Sequence, residues 1–397
     1  MHMGQSFPGA LAAVALPAIF RQNGLPLELF WLFALPLIPG WLRWLMAVVV
    51  DNYGSTTFGF RKSWIVPCTF VGVCMYMALA QIEPIPANLT LIIGLLVIKS
   101  TIMTAQDIAV DGMAVESMTE TERSLGSAII VSLMFMGTVA AQAMVAGVDH
   151  FGWQTMMMAA AALLVFVALP SSIRKEVAAP AAATQRRKAG QSASILDFVR
   201  RPESAYIMPV LLFVGFSSNF MRAMLPIFLV DIGLSLVDIG IAFGAAVVFG
   251  TSLAAVSIPI ASNRFGRRRV TLLIATGYGP CAVMFFAMSA LDLPLVVICL
   301  ALSYVMFIST AVWILVMEAR LSWALKHQAA TDFSAQASCA SLGEWIGASI
   351  AGFVAAGLGW VWFFNMGWLL SALALFAFIW ALGPIDRHLT CRGDQSA

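Results

Sequence analysis

Apolar residues run along this chain in blocks of about twenty, and polar residues fall in short clusters between them. A block of that length matches a helix crossing the ~30 Å hydrocarbon core of a bilayer. The pattern predicts twelve spans, over about 4–21, 28–50, 64–83, 88–115, 125–148, 154–172, 205–230, 236–261, 270–291, 294–318, 333–357 and 360–382. The first is short and carries Pro8 and Pro17. Either its helix begins at Met1 or the true start lies upstream. The longest connection, 173–204, is basic and rich in Ala and Ser, and it divides the spans six and six. Its amphipathic piece near Ile195–Val199 is expected to lie on the membrane surface. The organisation predicted is an N-terminal six-helix bundle (1–172), a cytoplasmic basic linker (173–204), a C-terminal six-helix bundle (205–382) and a cytoplasmic tail (383–397).

Composition agrees with an all-α integral membrane protein. Of the 397 residues, 61% are hydrophobic and 11% charged, against roughly 25% charged in a soluble domain. The mean hydropathy is +0.90. A water-soluble globule cannot hide that much apolar surface, so soluble enzymes and nucleic-acid binders are excluded. Of the six cysteines, Cys68, Cys74, Cys281, Cys299 and Cys339 lie in apolar runs and Cys391 in the tail, a distribution with no disulfide or metal-ligand spacing. No cleavable signal is read at the start.

Charge placement orients the spans. With both termini in the cytoplasm, 18 of the 22 Lys and Arg fall in inner loops and the tail, and Arg21 at most falls outside. The opposite orientation would reverse that bias, against the positive-inside rule.

The two halves repeat. Leu16-Pro17 precedes Gly24-Leu25, and Leu225-Pro226 precedes Gly233-Leu234, at a lag of 209. Past the next span, Asp51 and Gly54 answer Asn263 and Gly266 at a lag of 212, each followed by basic residues: Arg61-Lys62 in one half, Arg267-Arg268-Arg269 in the other. A parallel repeat of six spans, with a substrate cavity between halves, resembles the major facilitator superfamily. SNRFGRRRV (262–270) resembles its loop motif, with Asn263 in place of the usual Asp. In DNYGSTTFGFRKSW (51–64), Asp51 can pair with a cation at a neighbouring helix end when the inner gate is closed.

Three segments carry a closer resemblance, to the AmpG-type permease branch: PGALAAVALPAIFRQNGL (8–25), LRWLMAVVVDNYGSTTFGFRKSWIVP (42–67) and AQDIAVDGMAVES (105–117). ATDFSAQAS (330–338) is similar to the segment opening span 11 in the subgroup named for the RhtX and FptX siderophore importers. Asn52 stands where the branch usually has Arg. The resemblance implies a multi-pass permease of the bacterial inner membrane that imports a siderophore or its ferric complex by alternating access. A muropeptide permease like AmpG itself is the nearest alternative. A non-transporting membrane sensor or assembly partner is the alternative of another class, against which the loop motifs of both halves argue.

Charges inside spans are costly and mark cavities or partners. Arg43, Lys99 and Arg222 form a cationic set with Glu344 comparably deep. Such a set would attract an anionic solute, or would serve internal ion pairs such as Glu344 with Arg222 or Lys99. Asp107 and Asp111, four residues apart, share a helix face. They are read either as a proton-coupling site or as a gate network with Arg43, Arg123 or the basic loops. Glu116 lies further toward the same end of span 4, and Glu318 takes the equivalent place in span 10. Gly343 and Gly347 flank Glu344 at a spacing suited to close helix packing. Trp41, Trp44, Phe216, Phe220, Trp313 and Trp345 are placed to stack on a ligand, though packing is the better explanation of any single one.

Substrate binding is thus expected at Arg43, Lys99, Arg222 and Glu344, and coupling or gating at Asp51, Asp107, Asp111, Arg123, Arg267 and Glu318. No catalytic constellation and no ATP-binding loop is present. The expected partners are a small-molecule solute, the lipid bilayer and protons, with no cofactor and no nucleic acid. An ion gradient, most simply of protons, or the solute's own gradient would supply the energy. Span 5 lacks the Gly-Pro ending that resembles the drug-exporter signature, which favours import.

Overall fold

The computed structural model describes residues 11–55, 58–59, 61–117, 123–173, 195–323 and 329–395. These residues are almost wholly helical, and the one β feature among them is an isolated bridge between Ser55 and Gly59. Backbone amides in hydrocarbon must find partners within their own segment, which selects helices. Among the described residues, nine helical stretches are long and apolar enough to cross a membrane. Two of them hold a break. The stretches Arg123–Ile173 and Ala329–Gln395 contain Gly152 (φ 77°, ψ 160°) and Gly359 (φ 75°, ψ 164°). At the first break the chain folds back: a side chain on Gly147 would meet Met156 and Phe151. Nine residues of straight helix would separate those positions by about 13 Å. Each of these glycines precedes a tryptophan, Trp153 or Trp360, at a lag of 207.

The Pro–Gly repeat is also structural. Helices Leu16–Gln22 and Leu225–Asp231 each carry proline in the first turn. Both end on a positive-φ glycine, Gly24 at 82° and Gly233 at 92°. The Leu25 amide donates to the Phe20 carbonyl and the Gly24 amide to Arg21; Leu234 donates to Leu229 and Gly233 to Val230. These are the paired bonds of a Schellman cap. Every donor and acceptor of one cap has its counterpart 209 residues on in the other.

Three expectations change. The second span is not one α-helix: 3-10 turns over Leu27–Leu37 lead into short helices Ile38–Trp41 and Arg43–Asn52. Pro36 and Pro39 remove amide donors here. In the first half's loop, the glycine with positive φ is Gly59 (115°), two residues before Arg61, rather than Gly54; its counterpart before Arg267 is Gly266 (84°). The amphipathic piece of the linker forms helix Ile195–Arg200, but it does not lie free, since Phe198 is buried.

The chain forms two compact units. One comprises Met1–Leu25, Leu35–Ser192 and Ser235–Gly240; the other comprises Pro26–Ala34, Ala193–Leu234 and Ile241–Ala397. Within the first, Gly240 packs so tightly on Ala146 that a side chain there would clash with its backbone. Within the second, Gly352 meets the Leu27 carbonyl in the same way.

Candidate functional site

In the second unit, helices Ser204–Arg222 and Ala329–Gln395 run side by side in parallel register. A Cβ on Gly343 would strike the carbonyl of Leu212, one on Gly347 that of Phe216, and one on Gly215 that of Ala340. This is the small-residue packing expected of Gly343 and Gly347. It brings a short side chain on one helix within reach of the other's backbone. Asn219 uses that reach, donating through Nδ2 to the Glu344 carbonyl at 3.0 Å. Its Oδ1 accepts from Arg222 Nε at 3.2 Å.

Arg222 ends its helix. Ala223 and Met224 interrupt the span before helix Leu225–Asp231 resumes. Arg222 is exposed, unlike Met221 and Phe220 just before it. The charges of Arg222 and Arg320 both act on Glu344, which is partly buried. Neither Arg222 nor Glu344 has an ion-pair partner at bonding distance among the described residues. Phe216 stacks on Phe220 at 5.8 Å, and Phe220 packs on Phe363 at 4.7 Å. These rings are thereby committed to the bundle. Trp345 keeps a buried indole N–H without a hydrogen-bond partner, whereas Trp313 is exposed.

At one end of the same helix pair, Arg201 meets Asp332 at 2.6 Å, with both side chains almost fully buried. Arg320 lies over the Phe333 ring at 4.3 Å and donates to its carbonyl. Glu318 accepts from Ser262 Oγ at 3.0 Å, and Arg267 Nη1 reaches Ser322 at 3.4 Å.

In the first unit, Arg43 Nη1 meets Asp107 Oδ2 at 2.6 Å, with each side chain about a third exposed. This is one of the partnerships expected for the span 4 carboxylates. Lys99 points into the bundle: it is 5% exposed, donates to the Tyr76 hydroxyl at 3.2 Å and sits 4.8 Å from that ring's centroid. About two turns further on, Gln106 donates to Thr69 Oγ1. Trp41 Nε1 is buried without a hydrogen-bond partner, and Trp44 is partly buried. The side chains of Asp51, Asp111, Glu116 and Arg123 lie outside the described residues.

Asn219, Tyr76 and the Arg201–Asp332 pair were not among the candidates. Asn219 had one signal, a carboxamide in an apolar run three residues before Arg222. Asp332 had another, its place inside ATDFSAQAS.

Two solved structures, both of the nucleoside transporter NupG and one of them a variant, superpose on this chain with a TM-score of 0.72. Identities are 14% and 13%, over 96% of this chain and 97% and 96% of theirs. At that identity the likeness is one of fold. The family model described as Major Facilitator Superfamily matches residues 2–322. With the duplicated caps and the paired glycine breaks, that match places the chain by sequence as well as by shape: it belongs to the major facilitator superfamily.

Proposed function

We propose that this multi-pass transporter imports a small anionic solute, a siderophore or its ferric complex, across the bacterial inner membrane, driven by protons, with both termini in the cytoplasm. The observation that carries the anionic solute is Arg222, an exposed guanidinium at a break in an apolar helix, with no ion-pair partner at bonding distance among the described residues. A cation so placed in a membrane protein marks a solute path. Glu344 stands in its field and supplies the acid that proton coupling needs. Arg43 and Lys99 support the reading less directly, since Arg43 faces Asp107 and Lys99 faces Tyr76. We assign them to holding the first unit together. Asp51, Asp107, Asp111, Arg123, Arg267 and Glu318 remain the proposed coupling and gating set.

The choice of siderophore rests on the likeness around Ala330–Ser338 and on the acidity of such chelates. NupG is named for nucleosides. A neutral nucleoside needs no exposed guanidinium, so the charge favours an anion. The test is uptake in a strain lacking the gene, with and without the gene restored, using radio-iron chelates of carboxylate and phenolate type. Gene-dependent accumulation of one chelate is the expected result. No gene-dependent uptake, with the outer receptor working, removes the siderophore reading, and labelled anhydromuropeptide becomes the next solute to test.

A further inference from the structure

We infer that Asn219 is a positioning residue for solute binding, one that aims Arg222 and ties it to the helix bearing Glu344. The inference rests on the anionic-solute reading of Arg222. Its own support is the bond pattern of one side chain. A guanidinium can only donate and a backbone carbonyl can only accept. Asn219 is 6% exposed and stands between one of each: Oδ1 toward Arg222 Nε at 3.2 Å, and Nδ2 toward the Glu344 carbonyl at 3.0 Å. A carboxamide alone among short side chains presents an acceptor and a donor on one rigid plane. Aspartate would set an oxygen against the Glu344 carbonyl, and leucine would satisfy neither side.

The place has a reason. Gly215 on the helix of Asn219 touches Ala340 on the partner helix, and Asn219 reaches Glu344, each four residues further on. One helical turn past this close approach, a two-carbon side chain spans the gap. An exposed arginine otherwise samples many rotamers, and ordering it costs entropy. Anchoring Nε leaves the two terminal nitrogens directed outward, where they can take a carboxylate in a bidentate pair. The same anchor makes the approach of an anion to Arg222 felt at the backbone of Glu344.

The experiment uses the full-length protein and three variants: Asn219→Leu, Arg222→Gln and the double variant. Uptake of radio-iron complexes of citrate and of dihydroxybenzoate gives KM and Vmax, and unfolding in detergent gives Tm. Losing one hydrogen bond to a charged group is expected to raise KM about tenfold in Asn219→Leu, with Vmax little changed. The double variant is expected to be no worse than Arg222→Gln, and the two substitutions to be non-additive in Tm. Additive losses in KM and Tm would overturn the proposal, because Asn219 would then act only as a packing residue. If the unaltered protein takes up neither complex, the substrate reading fails by itself. The Tm cycle still tests the contact itself: non-additivity upholds the tie between Asn219 and Arg222, and additivity overturns it.

Discussion

Arg201 and Asp332 meet at 2.6 Å with exposures of 2% and 0%. They continue a register that runs up the helix pair: residue 201 faces 332, Leu212 faces Gly343 and Phe216 faces Gly347, all separated by 131 positions. The ion pair therefore pins the end of a packing seam and fixes which turns of the two helices meet.

A buried charge left alone is costly, whereas an apolar pair in its place is often tolerated. Asp332→Asn is expected to destabilise the protein by about 3–5 kcal/mol. Arg201→Met with Asp332→Leu should lose far less. Thermal unfolding of the detergent-solubilised variants checks this. A double variant that loses as much as the two single substitutions added together would show that the pair does not couple.

The seam itself gives the second prediction. Gly343→Ala drives a methyl group into the Leu212 carbonyl, while Gly357 has nothing within 4 Å of where a Cβ would lie. Both glycines are helical. Gly343→Ala is expected to cost about 1–3 kcal/mol by overpacking. Gly357→Ala is expected to be neutral or to stabilise by up to about 1 kcal/mol. The contrast in Tm between the two variants is the measurement, and its reversal would mean the helices do not pack as described.

The duplicated caps predict matched penalties. Gly24 and Gly233 each have open space around the missing side chain, so alanine there meets only backbone strain at positive φ. Each substitution should cost about 1–2 kcal/mol. The two Tm shifts should agree more closely with each other than with that of any glycine outside the repeat. A cost at one position and none at the other would break the equivalence.

Much of this architecture was legible because its causes are local. Pro17 and Gly24 start and end a helix by their own geometry, and so do Pro226 and Gly233. Hydropathy placed the span boundaries at 148–154 and 357–360, where Gly152 and Gly359 break the helices. What escaped depends on partners distant in the chain. Hydropathy records whether a residue avoids water, not which neighbour it meets. Lys99 was legible as a deep charge, but its Tyr76 partner, 23 residues away, was not. Asn219 carries no formal charge and so leaves no mark in the charge pattern, although it bonds to Arg222. The lag of 212 pairs Gly266 with Gly54, whereas positive φ pairs it with Gly59, two residues before the basic pair.

The proton-coupled reading divides three of the described acids, Asp107, Glu318 and Glu344, by their surroundings. Asp107 faces Arg43 at 2.6 Å, a contact within one unit that can act as a tie. Glu318 accepts a hydroxyl bond from Ser262. Glu344 has no ion-pair partner at bonding distance among the described residues, yet it stands in the field of Arg222, the proposed seat of the anion. Binding of an anion to Arg222 weakens that field, and leaving of the anion restores it. On the proposed reading, Glu344 is therefore the acid whose proton is exchanged in step with the solute. Uptake by the unaltered protein should stop when a protonophore is added. Glu344→Gln should abolish concentrative uptake while leaving solute exchange, and the residual flux should be insensitive to the protonophore. Asp107→Asn should slow uptake but keep its protonophore sensitivity, because removing a tie alters gating and not stoichiometry. Flux in proteoliposomes with imposed pH gradients separates the two. If Asp107→Asn uncouples the flux and Glu344→Gln does not, the roles assigned to these two carboxylates are exchanged. If neither variant changes the response to the gradient, protons are not the coupling ion at these sites.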